Sequence, residues 1–193
     1  MSAAVKGGIV TDSISKAHRS WNMSRIRSTG TKPEIIVRRL LHALGYRFRL
    51  YGRVNKRLYK SGVLPGKPDI VLKKHKAVIC VHGCFWHHHQ ACKRATTPKT
   101  RTQYWKDKFS RNQQRDKQNQ QLLRALGWNV ITVWECEVSV YLKEVRQKPL
   151  RSTKLSHRLL SELSPFVYDQ SCPEQELFAA ENSPDYSLKK KDA

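Results

Sequence analysis

The stretch from Val78 to Cys92, VICVHGCFWHHHQAC, constrains this chain more than any other. It starts as an apolar run of strand type and ends in side chains that bind metals. Four histidines, two cysteines and a Phe-Trp pair fall within the eleven positions from His82 to Cys92. Few structural roles need that density of imidazole and thiol, so the chemistry of the chain is expected to centre here.

Charge narrows the class of partner. The 193 residues carry a formal charge of +22, and from Pro165 onward six acids oppose three lysines, a local −3 that leaves +25 on residues 1–164. A folded body with that excess repels itself unless it meets a polyanion, which makes nucleic acid the expected partner. An anionic membrane surface is the weaker alternative, because no basic helix with a broad apolar face is present. No run approaches the ~20 apolar residues of a membrane span, and the N-terminal residues do not read as a signal peptide. Five cysteines are an odd number, and Cys84, Cys92 and Cys136 lie near histidines or at a strand end. That pattern favours reduced, metal-binding thiols over a disulfide framework, and a cytoplasmic protein.

Read in order, residues 1–15 are small and polar and predict disorder. Lys16–Arg27 is a short basic helix or arm, read either as a helix docked on the body or as a DNA-contacting arm. Thr31-x-x-Glu34 forms a capping box with Pro33 in the first turn, and Ile36, Val37, Leu40, Leu41 and Leu44 recur at helical spacing up to Gly45. Tyr46–Tyr51 alternates as a strand, and 52–66 is a basic loop. Ile70–Leu72 and Ala77–Val81 predict a hairpin across a Lys73–Lys76 turn. Thr100–Leu126 reads as a long helix whose middle, SRNQQRDKQNQQ, is polar all round and so is solvated or lies against a partner. Trp128–Trp134 reads as a central strand ending at Glu135-Cys136, followed by helices over Glu137–Gln147 and Thr153–Leu163. The Ser-, Pro- and acid-rich residues 165–193 predict little order. Together these elements give an α/β fold, a mixed sheet flanked by helices, with one body over 16–164.

Two constellations carry chemistry. Cys84, His89 and Cys92, at C-x4-H-x2-C, can be joined by Cys136 from the end of a strand; thiolates and imidazole in a tetrahedron suit a structural Zn²⁺. Spacing alone leaves open which of His87, His88 and His89 binds, and a surface histidine run beside free cysteines is the bland alternative. Cys80, inside a strand, reads as a small hydrophobe. The second constellation is Asp69 after Pro68, at a strand start where the hairpin brings Val81-His82 alongside. A carboxylate so placed can hold Mg²⁺, although most Pro-Asp pairs are simply turns.

HGCFWHHH with the later Cys92, the upstream KPD, the downstream TRTQYW and the terminal VWEC resemble the very short patch repair (Vsr) DNA mismatch endonucleases, in order and approximate spacing, from about His18 to Cys136. The resemblance implies a restriction-endonuclease-like fold with a structural zinc, and an enzyme that nicks the thymine strand of a T·G mismatch left by deamination of 5-methylcytosine. By the same resemblance Asp69 is the Mg²⁺ ligand with the Val81 backbone carbonyl, and His87 is the general base. His82 assists at the scissile phosphate, and Glu34 acts through a water on the metal. Cys84, His89, Cys92 and Cys136 are the zinc ligands. Phe85, Trp86 and Trp105 match the aromatics that wedge into the duplex, and Met23 matches a residue of the arm that reaches the opposite groove. The resemblance further implies a monomer acting with mismatch-repair proteins and a DNA polymerase on nucleoid DNA. The chain departs from the family pattern at Val81, where Thr is expected, in the two residues between His89 and Cys92, and in a longer segment between Tyr46 and Asp69. Two other readings remain: a restriction-type nuclease acting on intact duplex, and a zinc-stabilised DNA-binding module without catalysis.

Overall fold

In the computed structural model, residues 15–164 are described, apart from 26 and 58. The expectations for 165–193 and for the first fourteen residues lie outside the described residues. Helix α1 (Lys16–Ser24) is capped by Ser15, whose hydroxyl accepts from His18 N. Helix α2 (Lys32–Ala43) begins at the capping box, and its apolar stripe buries Val37, Leu40 and Leu41. Four short strands follow in one sheet: β1 (Arg49–Leu50), β2 (Ile70–Leu72), β3 (Ala77–His82) and β4 (Asn129–Trp134).

The sheet order is β1-β2-β3-β4, with the first two pairings antiparallel and β3 parallel to β4. The β2–β3 hairpin turns through a single 3₁₀ turn at Lys73–His75, with Lys76 in the left-handed region at φ 46°. A parallel partner needs a crossover, and α3 (Thr102–Ala125) supplies it. Helices α4 (Glu135–Glu144) and α5 (Lys154–Leu163) complete the fold. The first strand is shorter than the alternation of Tyr46–Tyr51 implies. Strand β4, expected to be central, has only β3 as a sheet neighbour among the described residues; its apolar character comes from burial of Ile131 and Val133 in the main core.

One face of the sheet packs on α2, α4 and α5, in a core that includes Leu40, Ile79, Tyr141 and Leu159. A smaller cluster on the other side joins Val71, Val78, Leu123 and Trp128 to Val54 and Leu64 of the 52–66 segment. That segment is therefore folded onto the body through Val54 and Leu64, and an Arg53–Val63 bridge closes it on itself. No helix among the described residues is long and apolar enough to cross a membrane.

The long helix corrects the sequence reading. Trp105, Phe109, Asn112, Asp116, Asn119, Gln120 and Leu123 are buried or half-buried, whereas the residues between them are mostly exposed. This is a continuous inward stripe at a spacing of three and four residues, apolar at both ends and polar in the middle. The polar middle lies against the histidine loop of the same chain.

Candidate active site and metal centre

The parallel β3–β4 pair puts the ends of both strands on one edge, with His82 opposite Trp134 in register. Immediately beyond, the chain after β3 coils into tight turns, His87 N bonding Gly83 O and His89 N bonding Cys84 O. These turns aim successive histidines in different directions. His88 is left-handed, at φ 46°, and its ring stacks on Phe109. His87 faces the groove, and His89 turns the other way onto the ring of Trp134, 4.0 Å between centroids.

His89 Nδ1 lies 3.7 Å from Cys84 Sγ and 3.4 Å from Cys136 Sγ, and with Cys92 the four ligand atoms all fall within 4.8 Å of one another. Zn–S and Zn–N bonds of ordinary length at a tetrahedral angle put sulfur and nitrogen about 3.5 Å apart. The donor set and its spacing can hold a metal. Burial pushes the Cys84 thiol up to about 12, so a bound cation is what would keep it a thiolate. Glu135 supports this corner by accepting from Cys84 N and pairing with Arg94.

The second constellation lies in a groove between α2, the start of β2 and α3. His82 and His87 stack face to face, 3.8 Å apart and within 8° of parallel. His87 Nδ1 contacts Asp116 Oδ2 at 2.5 Å. Burial, then the His87 charge, drives His82 down to about 4, with Asp116 opposing, so His82 is neutral at physiological pH. Burial alone would raise the Asp116 carboxyl, but its bond to His87, the charges of both histidines and Arg115 hold it below its ordinary value.

Asp69 Oδ2 accepts from Val81 N at 2.7 Å. Its carboxyl is raised to about 6, first by burial; the Val81 N–H pulls it back, Glu34 adds to the rise, and Arg38 and His87 oppose it. Extending the Ile70–Ile79 register by two places sets Pro68 opposite Val81. Proline has no N–H to give, so the ladder offers the Val81 carbonyl no donor on the side where Asp69 sits. A mostly ionised carboxylate and a carbonyl that faces a proline, side by side and poorly solvated, are a donor set that suits a hard divalent cation.

Glu34 is buried behind this wall. It accepts from Gly30 N, from Thr31 N and Oγ1, and from Arg38 Nη2 at 2.7 Å, so the capping-box role occupies much of its capacity. Arg38 also donates to the Tyr51 hydroxyl at 3.3 Å, and Tyr51 N holds the Asp69 carbonyl. Cys80 lines the groove as well; burial pushes its thiol up to about 12, with the charges of Asp69 and Asp116 adding, so it stays protonated.

The aromatics form one knot. Phe85 meets Trp86, Trp105 and Phe109 edge to face, and the Lys108 ammonium sits 5.5–5.8 Å from the rings of Trp86, Trp105 and Tyr104. Trp86 also lines the groove. Met23, on α1, is exposed, as is Trp21. The sequence reading missed Asp116, Arg38 and Tyr51. Asp116 had one signal, its place seven residues from both Phe109 and Leu123 on α3; the other two had none.

Comparison with known proteins decides the family. The family model described as DNA mismatch endonuclease Vsr matches residues 11–94. The chain is 44% identical over 130 residues to the type II nicking enzyme V.XorIIP of Xanthomonas oryzae pv. oryzae, covering 67% of this chain and 88% of that one. This chain belongs to the Vsr endonuclease family. It is also 42% identical to the type II nicking enzyme V.NmeAIP of Neisseria meningitidis, over 67% of this chain and 85% of the other. To the DNA mismatch endonuclease Vsr of Escherichia coli it is 39% identical, over 66% and 75%. As a Vsr-family member the chain is a strand-nicking DNA endonuclease, and DNA is its substrate. The reading as a non-catalytic binding module is set aside.

Proposed function

We propose that this enzyme nicks the thymine strand at T·G mismatches arising from 5-methylcytosine deamination, using Mg²⁺ at the groove and Zn²⁺ in the Cys84, His89, Cys92 and Cys136 cluster. The observation that carries the reading is the convergence of Asp69, the Val81 carbonyl, His82 and the His87–Asp116 pair on one groove. Asp69 and the Val81 carbonyl would hold Mg²⁺, which supplies charge neutralisation at the phosphate. With Nδ1 bonded to Asp116, His87 presents Nε2 and takes the proton from the attacking water; Asp116 fixes the tautomer and balances the charge that forms. His82, kept neutral by burial, lies against His87 and reaches the phosphate without adding a second positive charge to the stack. Glu34 holds the wall in place and acts through water.

Phe85, Trp86 and Trp105 are the wedge. Unstacking a base step costs roughly a few kcal/mol, least at a weakly paired mismatch. Met23, on the arm, reaches the opposite groove. The 16–164 body, with its helix-flanked mixed sheet, is read as a restriction-endonuclease-like domain working in the cytoplasm as a monomer, with mismatch-repair proteins and a polymerase completing the repair.

The test is a cleavage assay with Mg²⁺ on two labelled duplexes, one with a T·G mismatch in a cytosine-methylation context and one with its C·G counterpart. The expected result is a nick in the thymine strand of the mismatched duplex only, lost in Asp69→Ala. Equal cutting of both duplexes would replace this reading with a restriction-type activity.

A further inference from the structure

Two carboxylates, Glu34 and Asp69, line the same groove, and the nearby Glu34 charge helps to raise the Asp69 carboxyl. Left alone, they would present two negative charges to whatever binds there. A single guanidinium stands behind them. Arg38 is largely buried, does not line the groove, and donates through one nitrogen both to Glu34 Oε2 at 2.7 Å and to the Tyr51 hydroxyl at 3.3 Å. Its carbon centre lies 5.2 Å from the Tyr51 ring. Tyr51 in turn sits in the left-handed region at φ 56° and ties its backbone N–H to the Asp69 carbonyl. One cation is thereby coupled to the start of α2, to the strained residue after β1 and, through Tyr51, to the backbone of Asp69.

A surface ion pair would not need this construction. The Arg38 Nε is buried without a hydrogen-bond partner, a cost that a purely stabilising residue at this position would avoid by being apolar. We propose that Arg38 is a positioning residue for the nicking reaction: an internal counter-cation that fixes Glu34 against the α2 start and leaves the wall with one net negative charge, rather than two, facing the divalent cation at Asp69. Arg38 acts through Glu34 and Tyr51 and touches neither DNA nor the reacting atoms. This rests on the reading of Asp69 as the Mg²⁺ ligand.

The experiment is isothermal titration of Mg²⁺ into the full-length, zinc-loaded chain at pH 8, beside nicking rates, for wild type, Asp69→Ala, Arg38→Gln and Arg38→Lys. Removing the Arg38 charge strengthens the attraction of the wall for a dication, so Arg38→Gln is expected to bind Mg²⁺ on the order of tenfold more tightly while nicking more slowly. Arg38→Lys keeps the charge and loses the two-way bridge; it should match wild-type Mg²⁺ affinity and recover part of the rate. Loss of a merely structural residue loosens the site and weakens both. Unchanged or weaker Mg²⁺ binding in a folded Arg38→Gln protein overturns the assignment. Arg38→Met, which retains the buried stem, repeats the test if Arg38→Gln folds poorly. If wild type shows no Mg²⁺ binding that Asp69→Ala removes, the metal role of Asp69 fails first and the Arg38 assignment falls with it.

Discussion

His87 Nδ1 and Asp116 Oδ2 meet at 2.5 Å, joining the histidine loop to the middle of α3 across 29 residues of sequence. The contact fixes which imidazole nitrogen faces the groove, because a nitrogen that donates to a carboxylate leaves the other as the lone-pair acceptor. Asp116→Asn keeps the shape and removes the charge. It is expected to lower the single-turnover nicking rate by about 10²-fold or more, with DNA affinity nearly unchanged. An equal loss of affinity and rate would mean instead that Asp116 holds the loop for binding.

Burial of Asp69 makes a prediction about stability. Its pKa of about 6 lies above the ordinary carboxylate value of 3.8, so the folded chain binds this proton more tightly than the unfolded chain. The penalty is absent below the unfolded value and complete once pH exceeds the folded one. In magnesium-free buffer Asp69→Asn should therefore be more stable than wild type at pH 7–8, by up to about 3 kcal/mol. The advantage should shrink through pH 6 and vanish near pH 4. Urea melts of the two proteins across that range decide the matter.

The cysteine-histidine cluster predicts one tightly held metal per chain. Cys136→Ser and Cys84→Ser should each lose it, as read by elemental analysis, and should release the 83–95 loop from its strand-end anchor. Because His87 lies in that loop, nicking should fall with the metal. A variant that loses the metal and nicks at the wild-type rate would separate the two sites.

Gly52 tests the tie between the 52–66 segment and the groove. It sits at φ +69°, and a Cβ there would meet Lys67 Cα at 3.0 Å and Pro68 Cδ at 3.1 Å. Backbone cannot swing aside as a flexible side chain can, so Gly52→Ala should cost about 1–3 kcal/mol and shift the residues leading into Asp69. Thermal melts measure the first effect. A rise in the Mg²⁺ concentration needed for half-maximal nicking measures the second.

Much of the fold is local and could be read residue by residue. The capping box from Thr31 to Glu34, the hairpin around Lys73–Lys76 and the stops at Gly45 and Gly127 depend on neighbours within a few positions. Their boundaries in the structure differ from the sequence reading by only a few residues. The Asp69–Val81 contact was also legible, because a hairpin of known register brings its own flanks together. The inward stripe of α3 was hidden by its composition: a face that meets histidines and backbone carbonyls is polar, and hydrophobic periodicity does not mark it.

By itself the sequence determined the element order, the basic character of the body and the concentration of imidazole and thiol after β3. Spacing alone could not choose among three consecutive histidines, and the sequence reading missed Asp116, Arg38 and Tyr51. Tertiary structure decided those. Tight turns after β3 send His87 to Asp116 and His89 to Cys136, 47 residues away, while His88 packs on Phe109. The physical reason is separation. Secondary structure follows from backbone torsions and neighbours a turn apart, but a site built from a loop, a strand end and two helices exists only once the core has fixed their spacing.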